Sequence, residues 1–410
     1  MDINILRNYA ELIARSGVAV MEGQTVIIRT EPEQLEFLEL LTEECYKAGA
    51  GKVMVDWRYQ PLTCLAVKYQ DDETLGKVEK FEEEKLAYMV EKLPATIYLV
   101  SEDPDGLKDM DQDKWAKAQQ ARYKITRSYS DAMENKHQWC VAAVPGVKWA
   151  RKVFPGMSDA EAVEKLWQAI ISCSRAESEP IEAWKKHSAE LHRRCNWLNS
   201  LGLTRLEYKS EISGTDFSVG LLPEMLFCGG SEKLLGHDDV YFNANIPSEE
   251  VFTTPRAGDA EGVVYSTMPL SYRGVLIENF SLRFEKGRVV EAHAEKNEET
   301  LKVMLAMDEG ASMLGECAFV PWASPIRESG ILFYETLFDE NASCHLALGA
   351  GYSSCLKDFE KYSVDQARAL GVNDSMIHED FMIGAPDLSV VGICADGSRV
   401  QIFKDGNWAD

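Results

Sequence analysis

QTVIIRTEPEQLEFLELLTEECYKAGAGKVMVDWRY, residues 24–59, reads as one strand–helix–strand unit. Apolar and β-branched residues fill QTVIIRT (24–30), a strand pattern. EPEQLEFLELLTEECYKAG (31–49) spaces its apolar side chains at helical intervals, and Gly49 supplies a stop. KVMVDWRY (52–59) returns to a strand pattern. Two adjacent strands joined through a helix run parallel, because the helix carries the chain back along the sheet.

The same alternation continues outward. Ile5, Leu6, Tyr9, Leu12 and Ile13 sit at helical spacing over residues 3–16. A charged helix is predicted around 72–92, a strand at ATIYLVSE (95–102), a helix over about 105–122, and a strand at HQWCVAAVP (137–145). Helices near 158–173 and 178–199 complete this half. The expectation is an α/β N-terminal domain on a parallel sheet. No GxGxxG follows any of these strands, and GxxxxGK[ST] is absent. The half therefore reads as structural and substrate-shaping, not as a nucleotide-binding domain.

After about residue 200 the texture changes. TRLEYKSEISGTDFSVGLL (204–222) alternates as antiparallel strands do, and ENFSLRFEKGRVVEAHAEK (278–296) reads as a hairpin turning at Lys286–Gly287. A helix is predicted over about 296–308, followed by short strands and loops. This half is expected to be α+β and sheet-rich. The boundary falls near 195–205, giving domains at 1–198 and 199–410.

The totals narrow the function classes. A chain of 410 residues can build two domains and a buried site. The formal net charge of −24 argues against nucleic acid and anionic membrane surfaces as partners. It suits metal cations or substrates with a free amino group. Ten cysteines occur without a CxxC pair, as expected of reduced, packed thiols in a cytoplasmic protein. The N-terminus lacks a signal-peptide pattern, and no apolar run reaches the ~18 residues of a membrane span.

Residues 339–380 hold the chemistry. Glu340 lies five residues before His345, and Asp380 two after His378. On a strand, His378 and Asp380 share a face and Glu379 takes the other. Such a pair either binds one divalent ion or forms a hydrogen bond in a half-buried sheet. His345 is either a packed core histidine or a ligand. The nearby acid, the small-residue run LALGAGY and the second His–acid pair favour a ligand. Glu316, inside LGECAFVP, is costly to bury unless paired or metal-bound. Glu249 and Glu250, before TTPRAG, read from their own surroundings as solvated turn acids or acids near a helix start. HExxH and GxSxG are absent. His137, His187, His192, His237 and His293 have no comparable acid setting.

Four stretches, NIPSEEVFTTP, LGECAFVP, FDENASCHLALGAGY and HEDFMIG, carry a resemblance. In order and separation they are similar to those of the thermophilic aminopeptidase family, the aminopeptidase T, aminopeptidase S and PepS type of dinuclear metallopeptidase. The resemblance implies an exopeptidase that releases N-terminal amino acids from peptides with two divalent ions per chain, and oxygen donors mixed with imidazole permit Zn, Co, Mn or Mg. It implies Glu250, Glu316, Glu340, His345, His378 and Asp380 as metal ligands, with Glu316 bridging. It puts Tyr352 beside the metals as a catalytic residue, and it implies a homodimer. Glu249 or Glu379 would then serve as general base. The alternatives are hydrolysis of a non-peptide ester or amide at the same site, and a non-catalytic binding or scaffold protein. Glu316 within an apolar strand speaks against the last.

Overall fold

The computed structural model describes residues 1–409. The chain forms two compact units, Met1–Ser188 with Ser231–Ser248, and Ala189–Gly230 with Glu249 onward. The 198/199 position lies within the helix Pro180–Ser200.

The first unit is built on a parallel sheet. Its strands are β1 (Thr25–Thr30), β2 (Lys52–Trp57), β3 (Ala95–Val100), β4 (Trp139–Ala143) and the short Asn245–Ile246, in the order β2-β1-β3-β4-Asn245–Ile246. All pairings are parallel. Val26, Ile27 and Ile28 are all fully buried, because helices cover both faces of such a sheet. The segment QTVIIRT to KVMVDWRY thus forms the β1–helix–β2 unit that its pattern predicts, with the helix at Leu35–Lys47.

Helix boundaries differ from the sequence expectation where capping decides them. The region 72–92 holds two helices, Asp72–Gly76 and Lys80–Lys92. Asp71 caps the first by accepting from the Thr74 N–H, and Glu79 and Glu82 form a capping box on the second. The helix expected at 105–122 is Gln112–Met133. Asp111 sets its start by accepting from the Lys114 N–H at 3.0 Å. Only Ala116, Ala118 and Met133 of this helix are buried, which explains its faint periodicity. Helices Gln60–Tyr69 and Val147–Val153 were not anticipated.

The second unit holds two antiparallel sheets. The larger runs Leu270–Tyr272, Val275–Glu285, Pro255–Tyr265, Asp216–Leu221, Leu203–Lys209, Ser389–Cys394, Arg399–Lys404, Asn407–Trp408, with Arg288–Lys296 paired to Val275–Glu285. The hairpin turns at Lys286 (φ 49°) and Gly287 (φ 79°), the two positive values a tight two-residue turn needs. The smaller sheet is β5 (Val251–Thr253), β6 (Leu314–Phe319), β7 (His345–Gly349) and β8 (His378–Met382), in that order. Every residue of β6 and β7 is buried. Alternation along β6 sends Phe319 into an aromatic core, with the rings of Phe403, Phe227 and Tyr208 at 5.5, 5.7 and 6.4 Å. Glu316 and Ala318 belong to the opposite face.

Candidate metal centre

Strand register brings the acids and imidazoles together. Ala347 on β7 pairs with Glu316 on β6 and with Asp380 on β8, so these three form one row across the sheet. Neighbouring strands lie ~4.8 Å apart, and both carboxylates stand beside a single methyl group. His345 lies two residues along β7 and His378 two along β8, on the same face by the two-residue period. Glu250 immediately precedes β5, which pairs with β6. Glu340 opens the 3-10 turn Glu340–Ala342. Close approach of the β8 entry requires glycine at 349, where φ is +103° and a Cβ would meet the Ile377 carbonyl oxygen at 2.0 Å.

Two donor groups result. Ligand atoms of Glu250, Glu316 and His345 lie within 4.8 Å of one another, and so do those of Glu316, His378 and Asp380. Glu316 belongs to both groups, one oxygen to each. Its Oε1 is 4.0 Å from His345 Nε2, and its Oε2 is 3.1 Å from His378 Nε2. His345 Nε2 also lies 3.1 Å from Glu250 Oε2, and Asp380 Oδ1 lies 3.4 Å from His378 Nε2.

The imidazoles are oriented from behind. His378 Nδ1 donates to the Ala350 carbonyl at 2.8 Å, and His345 Nδ1 to the Ser343 carbonyl at 3.3 Å. A carbonyl only accepts, so Nδ1 carries the hydrogen and Nε2 faces the carboxylates. This is the arrangement a metal-ligating histidine has.

Burying so many acids has an electrostatic cost. Glu316 is 3% exposed, and burial raises its carboxyl to about 7, aided by Glu250 and Asp380 and opposed by His378. Burial and the charges of Asp380, Glu250 and Glu316 push Glu340 well above the ordinary range. Burial alone would lower His345, but the hydrogen bond to Glu250 and the nearby carboxylates lift it to about 9. His378 is likewise raised, against its burial, by Asp380 and Glu316. Asp380 is held low, against its burial, chiefly by His378. Its Oδ1 is buried without a hydrogen-bond partner. An orphaned carboxylate oxygen beside two inward-facing Nε2 atoms fits a divalent cation, which takes mixed oxygen and imidazole donors.

Each sequence candidate has a definite place. Glu250, Glu316, His345, His378 and Asp380 make up the two groups. Glu340 is buried close enough to Asp380 for the two carboxyls to influence each other, but it lies outside both donor groups. Tyr352 Oη lies 3.2 Å from His378 Nε2, and its ring packs edge-on against Phe252. Glu249 is buried but outside both donor groups, and its backbone N–H donates to Asn341 Oδ1 at 2.7 Å. Glu379 stands beside Arg273, and burial raises its carboxyl to about 7. Among the other histidines, His187 Nε2 meets the Ser248 carbonyl at 2.6 Å and His137 Nδ1 the Met133 carbonyl at 3.2 Å. None of the ten cysteines forms a disulfide, and eight of them are buried. Sequence reasoning passed over Asn341, a fully buried amide between Glu249 and Glu340. The run of polar residues Asp339–Glu340–Asn341 in an otherwise apolar stretch was its only signal.

The model of the thermophilic metalloprotease family (M29) matches residues 3–408. The chain belongs to this family. It is therefore a metallopeptidase, a hydrolase, as the donor groups suggest. Aminopeptidase AmpS of Bacillus subtilis is 40% identical over 407 residues, 98% of each chain. Aminopeptidase 2 of Geobacillus stearothermophilus is 37% identical over 406 residues, 98% of this chain and 97% of that one. The solved structure of wild-type AmpT from Thermus thermophilus superposes with a TM-score of 0.88 at 36% identity, covering 99% of each chain. Among the described residues, no helix is long and apolar enough to cross a membrane.

Proposed function

We propose that this chain is an aminopeptidase that releases N-terminal amino acids from peptides, working with two divalent ions in the second unit. The sharing of Glu316 carries the reading, because its two oxygens face different imidazoles, His345 and His378. One carboxylate disposed in that way suits a pair of ions better than a single one. Glu250 and His345 would hold one ion, His378 and Asp380 the other, with Glu316 between and Glu340 completing the set. The carboxylates of Glu250, Glu316, Glu340 and Asp380 balance the charge of two divalent ions. The ions, Zn, Co, Mn or Mg, would supply Lewis acidity and lower the pKa of water.

The chain's own groups account for the rest of the reaction. The Tyr352 hydroxyl is positioned beside His378 to donate to the oxyanion that develops on the scissile carbonyl, a contribution of ~3 kcal/mol for donors of this kind. Glu249 is our assignment for the base that takes the proton from attacking water, with Glu379 as the competing carboxylate. The chain's net charge of −24 favours the approach of substrates with a free amino group. A homodimer, implied by the family, working in the cytoplasm completes the reading.

The decisive assay is release of leucine from a Leu-anilide and from a Leu-initiated dipeptide, with chelator and after adding back Zn or Co. Activity that disappears with chelator and returns with metal is expected. Absence of cleavage with every metal would rule the peptidase reading out.

A further inference from the structure

Asn341 joins two parts of the candidate metal centre that arrive from distant places in the chain. It is fully buried, with no exposed surface. Its Oδ1 accepts from the backbone N–H of Glu249 at 2.7 Å. Its Nδ2 donates to the Leu337 carbonyl at 3.0 Å and to Glu340 Oε1 at 3.2 Å. The partners fix which way the amide points. A backbone N–H can only donate, and a backbone carbonyl can only accept. Its own carbonyl accepts from Ser324 Oγ at 2.5 Å, and Ser324 is buried as well. One side chain therefore ties the peptide that leads into Glu250 to the carboxylate of Glu340.

We infer that Asn341 is a positioning residue of the metal centre: it orients the Glu340 carboxylate through Oε1 and registers the Glu249–Glu250 peptide against it. The inference rests on the two-metal reading above. A neutral amide suits the task for a physical reason. It donates to Glu340 without adding a charge of either sign to a site already crowded with carboxylates. It also accepts from Glu249, which a lysine or arginine in its place could not do. With Oε1 engaged by the amide, Oε2 is the Glu340 oxygen left for an ion. Asn341 touches neither substrate nor ion and acts only through Glu340 and Glu250. Partners of this rank typically change metal affinity or activity by 10–100-fold when removed.

The test is a double-mutant cycle on metal affinity, read by competition with a chromophoric chelator for Zn. Asn341→Asp keeps the shape and the acceptor toward Glu249, but turns an acceptor toward Glu340 and Leu337. Asn341→Ser is the smaller companion, which removes the contact to Glu340 without adding charge. Each substitution is expected to weaken Zn binding by about 10–100-fold in the natural background. In the Glu340→Gln background Asn341→Asp should cost much less, because it keeps the acceptor toward Glu249 and the carboxylate it misplaces is already gone, whereas Asn341→Ser should retain the part of its cost that runs through Glu250. Equal costs of Asn341→Asp in both backgrounds, or unchanged Zn affinity together with a lowered Tm, would show that Asn341 only supports the fold. A natural protein that binds no Zn, Co, Mn or Mg would instead overturn the two-metal reading itself.

Discussion

At the scale of single residues, Glu316 and Tyr352 separate holding from reacting. Glu316 faces both imidazoles, so Glu316→Gln removes a charged donor from both groups at once. The variant is expected to lose both ions and its activity, as read by elemental analysis beside the Leu-anilide assay. Two ions retained in full would refute the bridging role. Tyr352→Phe removes only the hydroxyl that lies 3.2 Å from His378. It should keep its ions while the rate drops on the order of 10²-fold, the usual effect of losing one oxyanion donor. Metal loss there would make Tyr352 a ligand. Glu316 was legible in the sequence because a carboxylate inside an apolar strand has few bland explanations. Glu250 was not legible from its own surroundings, since two acids before a turn are ordinary, and only the family resemblance singled it out. Asn341 was invisible for a different reason: its partner Glu249 lies 92 residues away, and an amide has no pattern that announces a distant contact.

At the scale of elements, the sheet β5–β8 supplies the precision of the centre, and the loop into β8 sets its register. Gly349 pairs with His378, so a slip at this point would displace an imidazole. Asn373 guards the junction. It is buried, donates from Nδ2 to the carbonyls of Gly310 at 2.9 Å and Gly349 at 2.6 Å, and its own carbonyl accepts from the Gly351 N–H at 2.9 Å. Asn373→Ala takes a donor from both carbonyls; the Gly310 carbonyl keeps the Met313 N–H at 2.9 Å, and loss at Gly349 costs about 1–3 kcal/mol when no water substitutes. The expected result is a lower urea midpoint together with weaker metal retention, measured by denaturation and by elemental analysis after dialysis. An unchanged midpoint would mean the junction relaxes onto other donors. The strands of the first unit were readable because buried parallel strands form continuous apolar runs, as in TVIIRT and ATIYLV. The two-residue strand Asn245–Ile246 was not, since so short a segment carries no period. The start at Asp72 agrees with expectation, but the break before Glu79 and the start after Asp111 were missed because capping acids looked like more of a charged helix.

At the scale of the whole molecule, stability and metal binding are linked through protons. Without ions, the folded centre keeps protons that an unfolded chain would release. Burial lifts Glu316 to about 7 and raises Glu340, whose unfolded values lie near 4.3. His345 is lifted to about 9 from an unfolded value near 6.5. A group whose folded pKa is raised contributes its stability fully below the unfolded pKa and loses it as pH rises through the folded one. Glu316 therefore withdraws stability as pH climbs from about 5 past about 7, Glu340 acts in the same direction, and His345 follows up to about 9. Asp380 runs the other way, since its depressed pKa contributes stability that is lost only in stronger acid, outside this window. Divalent ions bind the deprotonated donors and replace the protons, so the loaded protein escapes the loss. The Tm difference between metal-loaded and chelator-treated protein should accordingly widen from about pH 6 to about pH 8.5, as followed by differential scanning fluorimetry at constant ionic strength. Constant ionic strength matters because a chain of net charge −24 is also destabilised by its own repulsion, which salt screens and metal does not relieve in the same place. A gap that stays level or narrows over that range would place the stabilising protons somewhere other than on Glu316, Glu340 and His345.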